Sequence, residues 1–393
     1  HPVNADFTPE ELAFQQEVRE FLASEFTADL KNKVDNNIRL TKDDMVRWQK
    51  ILYQKGWAAP SWPEEYGGRG LSESEQLIRY EESLLAGAPT PFVTLNTVGP
   101  AIISRGTEEQ KKRFLPGIAA GELHFSIGYT EPSAGTDLAA LRTAAVKQGD
   151  HYVVNGNKVY TSGAEGADYV WLAARTDPDP DKKHKGLTMF LVPTDSEGYS
   201  CTPVRTLGAR TNATYYENVR IPDKYRVGEI NGGWKLITSQ LNVERLSLFT
   251  HGQVDSLYQG VAEWSAQTDA PGGGKLIEQP WVQQNLAKVK TGLEALKIMC
   301  WKQAWSMDQG PLDMAKASTA KVYGSEFFVE LYRLLLEVMG TAGSISAESP
   351  GAILRGKLEF RWRVGSILTF GGGTNEVQRD IIAMAGLWMP RSR

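Results

Sequence analysis

The chain has 393 residues, 41% of them hydrophobic and 23% charged, the make-up of a globular protein long enough for about two or three domains with their own cores. A net charge of −4 and a pI near 5.9 give no bulk attraction to nucleic acid. No apolar run approaches the roughly 18 residues that span a bilayer, and two cysteines, Cys201 and Cys300, cannot make a disulfide framework, so the sequence predicts a cytoplasmic protein that binds neither membrane nor nucleic acid.

Residues 6–120 read as helices. Thr8-Pro9-Glu10-Glu11 is a helix start, with a hydroxyl at the N-cap, Pro at the first helical position and Glu at the third. Further helices are predicted over 41–55, 72–85, 99–104 and from Thr107, which forms a capping box with Gln110. Between them, Trp57 to Gly68 is a compact loop rich in Pro, Gly and aromatics. The period then changes. Residues 122–228 read as short strands with turn signals, a small barrel or sandwich. Tyr152 to Tyr160 is expected to be a hairpin turning at Asn155-Gly156. Residues 169–174 and 187–192 are expected to be buried strands, joined by a polar loop over 177–185. Residues 229–393 return to helices: one long helix from Gly232 through about Ala266, two more over 281–308 and 313–339, a short one around 352–363, and a last one after the glycine run 371–373. The domain boundaries are accordingly set at 1–121, 122–228 and 229–393.

The stretch from Ser126 to Asp137 organises the rest. A β-leaning run (Phe125, Ile127, Tyr129) meets a break at Pro132, and Gly135 can take φ > 0. Thr130, Ser133 and Thr136 set hydroxyls beside the turn. Such a turn suits either an ordinary surface loop or one that wraps a cofactor.

Several chemistries lack their signatures. The five histidines and two cysteines show no metal-ligand spacing. There is no Gly-x-Ser-x-Gly, and no Gly-x-Gly-x-x-Gly follows a strand. The most informative helix is 239–249. Its apolar stripe is predicted as Trp234, Ile237, Leu241 and Leu248. Glu244 falls on that face, seven after Ile237 and three after Leu241, and Arg245 borders it. A carboxylate there is either satisfied by an ion pair or is a general base with a raised pKa.

Three blocks carry a resemblance. Thr130-Glu-Pro-Ser-Ala-Gly-Thr-Asp137, Gly156-Asn-Lys-Val-Tyr-Thr-Ser-Gly163 and Gly371-Gly-Gly-Thr-Asn-Glu-Val-Gln-Arg379 resemble, in order and spacing, the signature blocks of acyl-CoA dehydrogenases. The resemblance covers nearly the whole chain. It implies an α+β class and the acyl-CoA dehydrogenase fold, with an N-terminal helical domain, a middle β-barrel or sandwich and a C-terminal four-helix bundle. It implies FAD as cofactor, an acyl-CoA substrate, an electron-transfer flavoprotein as acceptor and a tetrameric assembly.

Site residues carry over by position. Most of the family places its catalytic glutamate just before the Gly-Thr of the last block. Here that position is Gly372, which has no carboxylate. A minority, similar to isovaleryl-CoA dehydrogenase, uses a Leu-Asp-x-Glu-Arg stretch, which Leu241-Asn-Val-Glu-Arg245 resembles with Asn242 in place of Asp. The resemblance therefore makes Glu244 the base and sets Asn242, Arg245, Thr136 and the Gly372 backbone beside the acyl-CoA. The cofactor set it implies is Ile127, Tyr129, Thr130, Gly135, Thr136, Tyr160, Ser162, Glu337, Gly340, Thr374 and Glu376. Tyr160 stands where a Trp is usual, and Glu376 where Gln is usual.

Two departures bear on assembly. The family's Arg-x-x-Phe-Gly, whose arginine reaches a neighbouring subunit's FAD, is replaced by Asp269-Ala-Pro-Gly-Gly-Gly-Lys275. The usual Gln-Val-x-Gly-Gly-x-Gly reads Glu337-Val-Met-Gly-Thr-Ala-Gly343. Losing the half of the site given to a neighbour resembles the actinobacterial steroid side-chain dehydrogenases, which form α2β2 heterotetramers. Three readings stay open: an active dehydrogenase, a non-catalytic subunit that completes a partner's site, and an acyl-CoA oxidase on the same fold.

Overall fold

A computed structural model describes residues 6–90, 94–247, 250–311 and 313–390, with the backbone alone described at 180 and 241–247. Six helices come first: α1 (Pro9–Glu25), α2 (Ala28–Asp35), α3 (Lys42–Lys55), α4 (Glu73–Leu85), α5 (Gly99–Arg105) and α6 (Glu108–Ala120). Eight strands follow: β1 (Phe125–Gly128), β2 (Ala144–Gln148), β3 (His151–Val159), β4 (Tyr169–Arg175), β5 (Leu187–Pro193), β6 (Tyr199–Arg205), β7 (Arg210–Pro222) and β8 (Arg226–Val227). Helices α7 (Gly233–Ser247), α8 (Asp255–Gln267), α9 (Pro280–Gln309), α10 (Met314–Met339), α11 (Lys357–Gly365) and α12 (Asn375–Ile381) close the chain.

The helix starts obey their caps. Thr8, Ser72 and Thr107 each accept the N–H three residues on, while Glu11, Glu75 and Gln110 return the bond to the cap N–H.

The chain divides into two compact units. One takes in residues 1–41, 71–90 and 245–393 and is helical. Its core is built on α8, α9 and α10, with Val254, Val261, Val289, Leu296, Phe328 and Leu335 fully buried. The other takes in residues 42–70 and 91–244 and contains the β structure. Its strands run in the order β6-β7-β3-β2-β4-β5-β8, with β1 added parallel to β4. The β2–β4 join is a single residue pair, Ala144 with Arg175, so two sheets face each other across a core of Tyr152, Val154, Val170, Leu172, Phe190, Tyr216 and Ile221. Strands β4 and β5 are buried along almost their whole length, which is why they read as continuous apolar runs.

Two expectations are corrected. Asn155-Gly156 is not a hairpin turn: β3 runs straight through it, and the ladder to β7 shifts register there as a β-bulge. Gly156 sits at φ +149°, and a Cβ would lie 2.7 Å from the Thr143 Cα, so the glycine serves a close backbone approach. The true turn, at Gly149-Asp150, joins β2 to β3. The long helix predicted from 232 to 266 is also two helices, α7 and α8. Thr250 is extended at φ −124°, and His251–Gln253 form a 3-10 turn. Glu81 of α4 holds that turn, with its two oxygens bonded to His251 Nδ1 (3.1 Å) and Trp301 Nε1 (2.9 Å). Tertiary bonds thus override a run with helical propensity.

Candidate active site

The segment after β1 alternates inward and outward, as an extended chain must. Tyr129 and Glu131 are buried, whereas Thr130 between them is half-buried and makes no side-chain hydrogen bond among the described residues. Glu131 and Ala134 then exchange both backbone hydrogen bonds (3.0 and 3.1 Å), closing a tight turn that leaves Pro132, Ser133, Gly135 and Thr136 exposed. The N–H groups of Gly135 and Thr136 donate to no group among the described residues. A Cβ on Gly135 would meet only Thr130 Cγ2, at 3.9 Å. The turn therefore offers free donors over open space, the requirement for cradling an anionic or polar cofactor edge.

Beneath the turn lies a buried ion pair. Lys158 of β3, fully buried, donates from Nζ to Glu131 Oε1 and to the Tyr129 carbonyl, both at 2.9 Å. Glu131 also accepts the N–H groups of Arg142 (2.7 Å) and Thr143 (2.8 Å). Burial alone would raise the Glu131 carboxyl. Lys158, the Thr143 hydroxyl and the two amides outweigh it and hold the carboxyl below the ordinary range. Burial pulls the Lys158 ammonium down, and the neighbouring Glu131 carboxylate opposes that pull. The Val159 N–H donates to the Thr130 carbonyl (2.9 Å), which ties the end of β3 to the turn.

That tie brings Tyr160 and Ser162 to the same place as Thr130. Tyr160 is 60% exposed and sits at φ +62°, a left-handed conformation rare for an aromatic residue. The Ser162 N–H donates to the Tyr160 carbonyl (3.0 Å), and the Ser162 hydroxyl shares a 2.9 Å bond with Thr211. An aromatic face held outward at conformational cost fits a flat ring system.

Tyr129 turns the other way. Its hydroxyl donates to Gln240 Oε1 in a short hydrogen bond and accepts the Trp171 indole N–H at 2.9 Å. Gln240 lies on α7, whose buried face runs Gly233, Leu236, Ile237 and Gln240. Leu236 and Gln240 enter that face, and the predicted Trp234 is only partly buried. Position 244 follows on the same helix, four residues after Gln240. The side chains of Asn242, Glu244 and Arg245 lie outside the described residues. Ile127, partly buried, pairs with Trp171 across β1 and β4.

The helical unit holds the other predicted positions. Thr374 caps α12, accepting the Val377 N–H, and Glu376 is exposed. Gly372 and Gly373 take φ of +70° and +105°. Buried Lys321 donates to the Gly373 carbonyl and to Asn375 Oδ1, both at 2.8 Å. Glu337 is engaged by Arg333 of its own helix and by Asn285 Nδ2 (3.0 Å). Gly340 ends α10 at φ +56°. The Asp269–Lys275 segment closes on itself through a Lys275–Asp269 ion pair of 2.6 Å.

Models of the N-terminal, middle and C-terminal domains of acyl-CoA dehydrogenases match residues 8–122, 126–219 and 231–387. The chain is 50% identical to acyl-CoA dehydrogenase FadE26 of Mycobacterium tuberculosis, over 98% of both chains. The chain belongs to the acyl-CoA dehydrogenase family. Members of this family are flavoprotein oxidoreductases that act on CH–CH bonds, and they generally use FAD. Among solved structures, the chain is similar to one in the ChsE4-ChsE5 complex of M. tuberculosis (49% identity, TM-score 0.89, covering 99% of this chain and 100% of that one). It is similar also to a chain of the Tcur3481-Tcur3483 steroid acyl-CoA dehydrogenase, at 45% identity and the same TM-score and coverage.

Of the residues expected from sequence in the 127–136 stretch, Thr130, Gly135 and Thr136 are not buried, whereas the Tyr129 phenol turns inward. Lys158, Trp171, Gln240 and Lys321 were not singled out. Gln240 carried a usable signal, since it stands on the same helical face as Ile237 and Glu244, where an amide demands a partner as much as a carboxylate does.

Proposed function

We propose that this chain catalyses the FAD-dependent α,β-dehydrogenation of an acyl-CoA thioester to the trans-2-enoyl-CoA, with Glu244 as the base. The observation that carries this reading is the turn of Gly135 and Thr136, whose N–H groups donate to nothing among the described residues, tied through the Thr130 carbonyl to the end of β3, after which Tyr160 is exposed at positive φ. Thr130, Thr136, Tyr160 and Ser162 hold the flavin, and Thr374 and Glu376 hold its adenosine side. Ile127, Tyr129, Gly135, Glu337 and Gly340 complete the cofactor set, with Tyr129 contributing through its backbone because its phenol is engaged inside the protein. Glu244 takes the α-proton onto its carboxylate. The Gly372 N–H donates to the thioester oxygen and stabilises the developing enolate, a contribution of about 3–4 kcal/mol per donor in comparable oxyanion sites. Arg245, Asn242 and Thr136 orient the acyl-CoA. The flavin that Thr130, Thr136, Tyr160 and Ser162 would hold would supply an acceptor for the β-hydrogen and its electron pair. An electron-transfer flavoprotein then takes the electrons.

The relatives favour a bulky substrate and an unlike partner. One similar structure is the Tcur3481-Tcur3483 steroid acyl-CoA dehydrogenase, and another is the ChsE4-ChsE5 complex. We assign this chain to an α2β2 heterotetramer acting on a steroid side chain, with domain boundaries at 121/122 and 228/229 and a cytoplasmic location. The Asp269–Lys275 segment carries no arginine, which also supports a second reading, a subunit that completes its partner's site.

The test is an anaerobic titration with acyl-CoA thioesters, using the purified protein with its partner subunit, wild type and Glu244→Gln. Bleaching of the yellow wild type and persistence of colour in the variant supports the dehydrogenase and its base. Equal bleaching in both removes Glu244 from the chemistry and supports the second reading. In a separate aerobic assay, hydrogen peroxide formed from O2 at the turnover rate replaces the dehydrogenase with an oxidase.

A further inference from the structure

We infer that Tyr129 and Gln240 are positioning residues that fix the rotation of α7, and with it the placement of position 244. The inference rests on the reading of Glu244 as the base and concerns what aims it.

Four buried polar groups form one directional chain. The Trp171 indole N–H donates to the Tyr129 hydroxyl at 2.9 Å, the Tyr129 hydroxyl donates to Gln240 Oε1, and Gln240 Nε2 reaches Thr97 Oγ1 at 3.4 Å. Their exposures are 1% for Trp171, 8% for Tyr129, 7% for Gln240 and 2% for Thr97. An indole N–H can only donate, so the phenol accepts from Trp171, and with the phenol donating to Gln240 Oε1 the amide presents its NH2 to Thr97.

The chain joins three elements of one unit. Trp171 is on β4, Tyr129 follows β1 and precedes the free-donor turn, and Gln240 is on α7. The start of α7 is pinned separately. The Asn231 N–H donates to Thr188 Oγ1 (2.8 Å), and a Cβ on Gly233 would lie 2.9 Å from the Leu187 carbonyl. Among the described side chains between that pin and Gln240, the other buried ones of α7 are the apolar Leu236 and Ile237, and dispersion contacts tolerate a helix turning by some degrees. Gln240 is the directional contact, one helical turn before Glu244. A helix that rolls about its axis moves a long side chain one turn on by an amount comparable to the roughly 1 Å that costs about a hundredfold in rate.

The stretch therefore has two faces with two duties. Thr130 and the turn face the cofactor, while Tyr129 sets the base relative to that turn. A structural role alone would be met by apolar residues filling the same space, since a satisfied buried amide adds little net stability over a well-packed leucine.

The experiment uses the flavin-loaded protein with its partner subunit, comparing wild type, Tyr129→Phe, Gln240→Leu, the double variant and Glu244→Gln. Two quantities are read per bound flavin: the anaerobic rate of flavin reduction, and the long-wavelength band formed with a thioester analogue bearing sulfur at the β-position. That analogue can give up its α-proton but cannot pass on a hydride, so the band reports proton abstraction alone. Flavin content and thermal midpoint are recorded in parallel. We expect Gln240→Leu to slow reduction about 10- to 100-fold, to weaken the band, and to leave the flavin content and substrate Kd within about threefold of wild type. Tyr129→Phe should do the same, and the double variant should be no slower than either single one, since both break one chain. Gln240→Glu, which can still accept from Tyr129, should recover part of the rate. Reduction rates within twofold of wild type in both single variants, with Glu244→Gln inactive, would overturn the inference and leave Glu244 as base. Wild-type reduction by Glu244→Gln would overturn the base and this inference together.

Discussion

Replacing Lys158 by Met tests the foundation of the turn at 131–136. Met keeps most of the stem volume, so packing is little disturbed. What is lost is the ammonium group and its 2.9 Å bonds to Glu131 Oε1 and the Tyr129 carbonyl. Glu131, 6% exposed, then keeps the Arg142 and Thr143 N–H groups but has lost its ion-pair cation. Removing one partner of a buried pair costs about 3–5 kcal/mol. The two retained amide bonds place this case at the lower end, about 3 kcal/mol. Urea unfolding followed by tryptophan fluorescence measures it, with the slope checked for constancy. The double variant Lys158→Met/Glu131→Gln removes the orphaned charge as well and should recover about 1–2 kcal/mol. A single variant within about 1 kcal/mol of wild type, or a double variant no more stable than the single, refutes the ionised pair as the support of the turn.

Further outcomes follow from the same geometry. Glu131 has its carboxyl held below the ordinary range in the folded chain. Between that value and the ordinary 4.5 the unfolded chain binds the extra proton, so stability present above 4.5 is lost as the pH falls through the folded value. Glu131→Gln should flatten this acid limb in a pH series of unfolding curves. Gly156→Ala should cost more than about 2 kcal/mol in the same assay, because a Cβ would sit 2.5 Å from Thr143 Oγ1 and 2.7 Å from its Cα. Tyr160→Gly relieves a φ of +62° and loses little burial. Stability should stay within about 1 kcal/mol while the flavin Kd, read by fluorescence on release, rises about tenfold.

The helices that were legible announce themselves locally. Thr8, Ser72 and Thr107 cap through residues three positions away, so their signals lie within one turn of sequence. The strands β4 and β5 were legible because burial on both faces leaves an unbroken apolar run. Asn155-Gly156 misled because the pair is also the commonest hairpin signal. The proximity of Thr143, just before β2, accompanies the bulge. The break between α7 and α8 was illegible for a like reason, since it depends on Glu81, some 170 residues away, reaching His251 and Trp301. In the site, residues facing outward belonged to recognisable blocks, whereas Gln240 and Trp171 act through partners far apart in sequence.

The alternation at 129–131 gives the reading its sharpest internal contrast. Thr130 makes no side-chain bond to the described protein, and its backbone carbonyl, which accepts from Val159, survives any substitution at the side chain. Thr130→Ala should leave the unfolding free energy within about 0.5 kcal/mol of wild type, the range of surface changes. It should weaken flavin retention several-fold, the loss of one polar contact. Glu131→Gln, one residue on, should shift the acid limb of stability and touch the flavin only through the turn. If Thr130→Ala instead destabilises the chain as much as Lys158→Met does, the hydroxyl belongs to the fold. The division of this stretch into a cofactor face and a supporting face then fails, whatever the fate of Glu244.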